Sequence, residues 1–320
     1  MKEKSSINFW FVGTGDFAAL LLPMLAIDFN FSRVITRALS KAKRGLKEEI
    51  TPVERAAVET GFKPLRTHCF AHDTLIKNEF LENESKPDGV FVIDFGEKIN
   101  EPFLTGTKFG CLNIHPSILP KYRGAAPIQR ALENGESTIG VTFFRLVKEM
   151  DAGPVISQAI TEISIKADYP EIMRKTAVLG SGLASEWLSK IITDSNQVSI
   201  YPQDQEAATY APKILKSESY QSFNIAANLL HNRVRAFYPN PGVWVAFRGK
   251  RLKLITTCPF EESPTSSVIG AIIGFHDGAP IVKCKERTLI LERVQPEGKR
   301  VMDGVEWVNG LRIKPGDIIE

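Results

Sequence analysis

Short, mainly apolar runs alternate with longer stretches of helical period along the first half of the chain. Residues 7–12 (INFWFV) read as a buried strand and GTGDFA at 13–18 as a tight turn into a helix; further apolar runs recur at 32–36, 89–93 and 111–114. Between them, TPVERAAVETG and HDTLIKNEFLEN carry helical patterns. A strand covered on both faces shows no polar alternation, and strands alternating with helices build a parallel sheet with helical layers. The expected class is α/β, with a Rossmann-like, open, mostly parallel sheet. Helix 126–134 (APIQRALEN) then precedes two β-like runs, IGVTFFRL and PVISQAIT, joined by VKEMDAG. Asp168 and Glu171, three apart, resemble a capping box that opens a long helix ending near Ile192.

The pattern then changes. Residues 193–208 are polar, punctuated by proline and without helical period, and read as a linker between residues 1–192 and 209–320. After residue 213 a helical segment, FNIAANLLHNRVRAF, leads to YPNPG and then to GVWVAFRG, KRLKLITTC, GAIIGFHDG, APIVKC, RTLILERV and DGVEWVNG, all read as short strands. Several short strands with Gly and Asp turns predict a small OB-like β-barrel.

A chain of 320 residues is long enough for two such domains, and 43% hydrophobic with 24% charged residues is the composition of a globular protein. No run approaches the ~20 apolar residues of a membrane helix, and MKEKSSINFWF leads into a strand without a signal-peptide cleavage region, so a cytoplasmic location without membrane partners is expected. Cys69, Cys111, Cys258 and Cys284 are far apart, which predicts free thiols; the five histidines form no zinc spacing, and no metal is expected. From Tyr210 onward there are 16 Lys and Arg against 11 Asp and Glu, and 24 against 26 before it. The positive excess therefore lies in the last third, compatible with a phosphate-rich partner or a solvated surface.

The most informative window is LNIHPSILPKYRGAAPIQ, residues 112–129. Period two puts Asn113 and His115 on one face at the end of a strand, where open α/β sheets bind ligands. Asp151, in EMDAGP, lies on a loop between two strands. Attack of an amine on a carbonyl-like carbon creates a tetrahedral oxyanion and a proton to remove. The Asn113 amide can donate to that oxyanion, an interaction worth roughly 3 kcal/mol in acyl transfer, and a protonated His115 can assist. Asp151 can hold the imidazole, raise its pKa and accept the proton. Taken singly, Asn, His and Asp near strand ends also serve as turn and cap groups.

At these residues the chain resembles the folate-dependent formyltransferase family, whose signature is Asn, any residue, His, a Ser-Leu-Leu-Pro-like segment and a later Asp. Here these are Asn113, His115, Ser117-Ile118-Leu119-Pro120 and Asp151, and the likeness extends over GTGDFA, YRGAAPIQRAL, GVTFF and MDAGP. TYAPKI, HNRVRAFYPNPG, GKRLK and VQPEGKRVM resemble the C-terminal barrel of the members that formylate initiator methionyl-tRNA. The resemblance implies the formyltransferase fold, 10-formyl-tetrahydrofolate as co-substrate, initiator methionyl-tRNA as partner and a monomer. It implies a folate seat near Phe95 and Gly96, with Ser117, Ile118, Leu119 and Pro120 beside it. Arg37, Lys41, Lys43, Arg44 and Lys47 occupy the place of a basic loop that meets tRNA, where five cations would make affinity salt-dependent, and Lys250 and Arg251 are expected tRNA contacts in the barrel.

Several positions depart from the family pattern. Gly15 replaces a customary proline, Asp94-Phe95 stands for Ala-Tyr, ESYQSFN at 218–224 lacks the usual Asp-Trp, and the prolines of the basic loop are missing. Three other readings stand beside this one. A sugar-nucleotide formyltransferase would keep the trio and the folate seat. An NADP-dependent oxidoreductase would use GTGDFA as a dinucleotide loop, with Arg37 in place of the absent acid. A non-catalytic nucleic-acid module would leave Asn113, His115 and Asp151 unexplained.

Overall fold

The computed structural model describes residues 7–38, 50–82, 86–194, 199–260 and 268–320. They form two compact units: residues 1–124, 140–161 and 173–210 make the first, and residues 125–139, 162–172 and 211–320 the second.

The first unit is built on seven strands: β1 (Asn8–Gly13), β2 (Asn30–Arg37), β3 (Leu65–Thr67), β4 (Gly89–Ile93), β5 (Cys111–His115), β6 (Thr138–Arg145) and β7 (Val155–Glu162). Their order is β3-β2-β1-β4-β5-β6-β7. β1 pairs in parallel with β2 and β4, β2 with β3, and β4 with β5, while β6 runs antiparallel to β5. The mostly parallel α/β sheet expected from the apolar runs is present. Alternation along β1 explains why those runs lack polar residues. Phe9 and Phe11 enter one core layer, with Phe91, Leu112, Ile114 and Trp187, while Trp10 and Val12 enter the other, with Val90, Val92, Phe70 and Phe103. Burying each such side chain contributes about 1.5–3 kcal/mol.

The helices cover these layers. α1 (Asp16–Leu25) buries Phe17, Leu21, Leu22 and Leu25. In α2 (Pro52–Glu59), Thr51 accepts from the Glu54 N–H at 3.0 Å, the N-cap its sequence calls for. α3 (Thr74–Glu82) follows, and α4 (Pro127–Glu133) connects β5 to β6. α5 (Tyr169–Thr193) opens on the capping contact read from the sequence, Glu171 N–H to Asp168 Oδ1 at 3.0 Å. The order reverses between β1 and β4, so the carboxyl ends of these two strands open the crevice where such sheets hold ligands.

The second unit contains α4, α6 (Ala227–Phe237) and an antiparallel sheet. Its strands are β8 (Val243–Phe247), β9 (Lys250–Phe260), β10 (Ile272–His276), β11 (Ala279–Lys283), β12 (Thr288–Pro296) and β13 (Met302–Asp303), ordered β10-β11-β12-β9-β8 with β13 on β12. A β-rich C-terminal domain is present as expected, as an antiparallel sheet compatible with the OB-like barrel read from the sequence. DGVEWVNG is a correction: most of it is α7 (Gly304–Leu311), not a strand. Val305 and Trp307 alternate like a strand, but Gly304, Trp307 and Val308 are buried at helical spacing, and that stripe decides the element.

Two segments lie elsewhere than a division by sequence would put them. α4 belongs with the second unit, where Arg130 pairs with Glu133 at 2.7 Å and Glu218 at 2.8 Å, and Arg233 with Glu133 at 3.1 Å. Residues 201–210, read as linker, belong to the first unit: Val155 bridges Tyr201, and Gln203 is buried. No helix among the described residues is long and apolar enough to cross a membrane.

Candidate active site

β5 ends on His115, and its alternation sets Asn113 and His115 on the side of Cys111, opposite Leu112 and Ile114. The turn that follows is braced from β6 and β7. The Thr142 hydroxyl donates to the Ser117 carbonyl at 2.7 Å and accepts from the Leu119 N–H at 3.0 Å. Gln158 donates to the Leu119 carbonyl and to Thr142 Oγ1, both at 2.9 Å. The Ser117 hydroxyl donates to the Lys121 carbonyl at 2.7 Å. Both Ser117 and Thr142 are buried, so their hydroxyls hold the turn rather than face solvent. Gly140 admits this packing, because a side chain there would collide with Ile118.

The loop between β6 and β7 brings Asp151 to this turn. The residue sits in the left-handed region with φ of 51°, a conformation that costs a non-glycine residue energy and persists where its surroundings fix it. Asp151 Oδ2 accepts from the Gly124 N–H at 2.8 Å and lies 3.9 Å from His115 Nδ1. His115 Nε2 is 2.9 Å from the Tyr122 carbonyl. A carbonyl only accepts, so Nε2 carries the proton and Nδ1 faces Asp151. Protonation would place the imidazolium between a carbonyl and a carboxylate. Asn113 is half-buried, and its side-chain amide makes no hydrogen bond among the described residues. Asp151 thus lies beside His115, with Asn113 two residues back on the same face of β5, so that an amide donor, an imidazole and a carboxylate share one strand end.

Sequence reading missed the supports of Asp151. Gln203 Nε2 donates to the Asp151 carbonyl at 2.8 Å and to the Gly153 carbonyl at 2.7 Å. Its own oxygen accepts from Arg123 Nη2 at 2.6 Å, and Arg123, which is 4% exposed, also reaches Gln205 at 2.9 Å. A buried arginine bonded to neutral amides is costly unless it fixes something. Here it fixes the Asp151 loop through Gln203. The nearest sequence signal was a lone arginine in YRGAAPIQ, with partners some 80 residues away.

The residues expected at the folate seat divide. The Phe95 ring is buried at 4% exposure against Phe70, 5.6 Å between centroids, so only its backbone is available to a ligand. Gly96 is exposed, with φ of 74°. Leu119 is buried, Ile118 and Pro120 half-buried. Arg37, at the end of β2, is held by Glu97 at 3.0 Å. Lys41, Lys43, Arg44 and Lys47 lie outside the described residues. In the second unit Lys250 and Arg251 are exposed at the start of β9, and the Arg251 guanidinium stacks over Trp244 at 4.3 Å.

Asp94 is a further acidic group at the crevice. Much of the residue is exposed, yet its carboxyl turns in against Gly15 at the start of α1. Burial pushes its pKa up to about 6, partly opposed by a hydrogen bond from the Phe17 backbone, with Asp16 adding to the rise.

The chain matches the family model described as formyl transferase over residues 11–188 and its C-terminal domain over residues 213–312. It is 34% identical over 309 residues to the methionyl-tRNA formyltransferase of Kosmotoga olearia, covering 96% of this chain and 97% of that protein. It is 35% identical over 320 residues to that of Thermotoga neapolitana, covering 97% of each. Among solved structures, the sugar 3N-formyl transferase WlaRD, with dTDP and 5-N-formyl-THF, shares the fold with a TM-score of 0.64 at 19% identity, over 92% of this chain and 100% of that one. HypX from Aquifex aeolicus, in complex with tetrahydrofolic acid, does so at 0.61 and 15%, over 99% of this chain and 51% of that one. The match to both models and the identity to full-length relatives give one conclusion: this chain belongs to the formyl transferase family.

Proposed function

We propose that the protein transfers the formyl group of 10-formyl-tetrahydrofolate to the α-amino group of initiator methionyl-tRNA. The observation that carries this reading is the 3.9 Å approach of Asp151 to His115 at the end of β5, with Asn113 two residues back on the same face. The substrate follows from the relatives, methionyl-tRNA formyltransferases matched along nearly their whole length.

In this reading the amine nitrogen attacks the formyl carbon, and a C–N bond forms while the carbonyl becomes an oxyanion. The Asn113 amide and a protonated His115 stabilise that charge, and Asp151 stands 3.9 Å from the imidazole. Asp151 accepts the proton lost by the amine, directly or through water, and that proton passes to the folate nitrogen as collapse of the adduct breaks its bond to the formyl carbon. The backbone of Phe95 and Gly96 and the turn of Ser117, Ile118, Leu119 and Pro120 seat the folate. Arg37, Lys41, Lys43, Arg44 and Lys47, together with Lys250 and Arg251, meet phosphates of the tRNA. The scheme draws on no metal and no covalent nucleophile. It carries with it a cytoplasmic location and action as a monomer.

The test is a direct competition of acceptors. Supplied with 10-formyl-tetrahydrofolate, the protein should formylate charged initiator tRNA and leave an amino-sugar nucleotide untouched. Formylation of the amino sugar alone would overturn the choice of substrate while keeping the chemistry.

A further inference from the structure

Two of the departures from the family pattern meet in space. The carboxyl of Asp94 fills the volume that a side chain at Gly15 would occupy: a β-carbon there would collide with Oδ2 and lie 2.5 Å from Cγ and 2.8 Å from Oδ1 of Asp94. The two segments are also joined through their backbones, since the Thr14 and Gly15 N–H groups both donate to the Asp94 carbonyl at 3.1 Å. Gly15 is the N-cap residue of α1 and brings no side chain to the cap. The Asp94 carboxyl thus lies beside the first turn of α1, where the Phe17 backbone favours its charged form. Asp94 has φ of 46°, and Phe95 and Gly96 follow it directly. All of this lies at the carboxyl ends of β1 and β4, where the strand order reverses.

We propose that Gly15 and Asp94 act as one positioning device, in which the Asp94 carboxyl seats in the space left open at residue 15, beside the start of α1, and so sets the backbone of residues 94–96 that seats the folate. Neither position works without the other. A β-carbon at 15 expels the carboxyl, and loss of the carboxyl frees both the helix start and the loop. The proposal rests on the folate reading given above, and names residues of this chain that the family pattern does not supply.

The experiment is a double-mutant cycle read by binding of 5-formyltetrahydrofolate, by the KM for 10-formyl-tetrahydrofolate and by thermal unfolding. Asp94→Ala should weaken binding about tenfold and raise KM with kcat nearly unchanged. Asp94→Asn keeps shape and acceptor and should bind within about threefold of wild type. Gly15→Ala should be at least as impaired as Asp94→Ala, and Gly15→Ala/Asp94→Ala should be no worse than Asp94→Ala alone, because removing the carboxyl makes room for the methyl group. If Gly15→Ala fails to fold, recovery of folded, folate-binding protein in the double variant supports the device, and failure of the double variant overturns it. Effects that simply multiply, or an Asp94→Ala protein that binds like wild type, overturn it while leaving the folate reading intact. A wild-type protein that binds no 5-formyltetrahydrofolate overturns both.

Discussion

Polar side chains are used differently in the two units. In the second, the arginines are fully occupied: Arg130 reaches Glu133 and Glu218, Arg233 reaches Glu133 and Gln221, and buried Arg235 is spent on the carbonyls of Leu132, Ser164 and Ala167. In the first, at the strand ends, groups are held short of their best partners. Asp151 stands 3.9 Å from His115 in a left-handed backbone, the Asn113 amide is unbonded among the described residues, and burial raises the Asp94 carboxyl to about 6. The residue types hardly differ. Unused bonding capacity marks the site, and used capacity marks the scaffold.

That contrast can be broken at several points. The largest effect is expected at His115: His115→Ala should lower turnover by at least ~100-fold while folate binding stays near wild type, because the lost interaction belongs mainly to the transition state. Equal loss of turnover and binding would assign His115 to the scaffold instead. Arg130→Ala should do the opposite. It removes one of two arginines from Glu133 and the guanidinium from Glu218, and should cost on the order of 1 kcal/mol in denaturant unfolding, with kcat of the folded fraction unchanged. Between these stands Gln203→Ala, which removes two anchors of the Asp151 loop and should lower kcat about tenfold as well as stability. A change in stability alone would make Gln203 a packing residue.

The pH dependence should differ in sign between the units. Arg130 beside Glu218 holds that carboxyl below its ordinary range. Its folded pKa is depressed, so its stabilising contribution is present above the unfolded value and is lost as pH falls through the folded one. Asp94 is the reverse. With a folded value of about 6 against 3.8, the native state binds the extra proton between them, and stability falls as pH rises across that window. Thermal unfolding should therefore show Asp94→Asn more stable than wild type at pH 7.5, with the gain vanishing toward pH 4, whereas Glu218→Gln should be less stable at neutral pH and converge with wild type in acid. The smallest effect is expected at the surface: Lys250→Ala should weaken tRNA binding a few-fold and reduce the salt slope by about 1, and an unchanged slope would remove Lys250 from the interface.

What the sequence disclosed follows range of interaction. β1 and β4 were legible because strands buried on both faces show nearly unbroken apolar runs, β5 because Cys111, Leu112 and Ile114 keep most of such a run, and α5 because Asp168 and Glu171 cap it locally. Asn113 and His115 were legible as a pair because period two is a local rule, and the approach of Asp151 rested on the family signature. α7 was misread because Val305 and Trp307 imitate a strand in a window too short for the helical stripe to show. Gln203 was invisible within a polar, proline-marked stretch, since its partners Arg123, Asp151 and Gly153 lie 50 to 80 residues away. The Gly15–Asp94 contact was hidden for the same reason. Each residue looked like an isolated departure until β1 and β4 set them side by side.

The most direct measurement of the central claim is single-turnover formylation of charged initiator tRNA by Asp151→Asn, with 5-formyltetrahydrofolate binding followed in parallel. Asparagine preserves size and can still accept from the Gly124 N–H, but carries no charge toward His115 and takes up no proton. The account predicts a formylation rate at least ~100-fold lower with folate binding unchanged. A rate near that of wild type would contradict it.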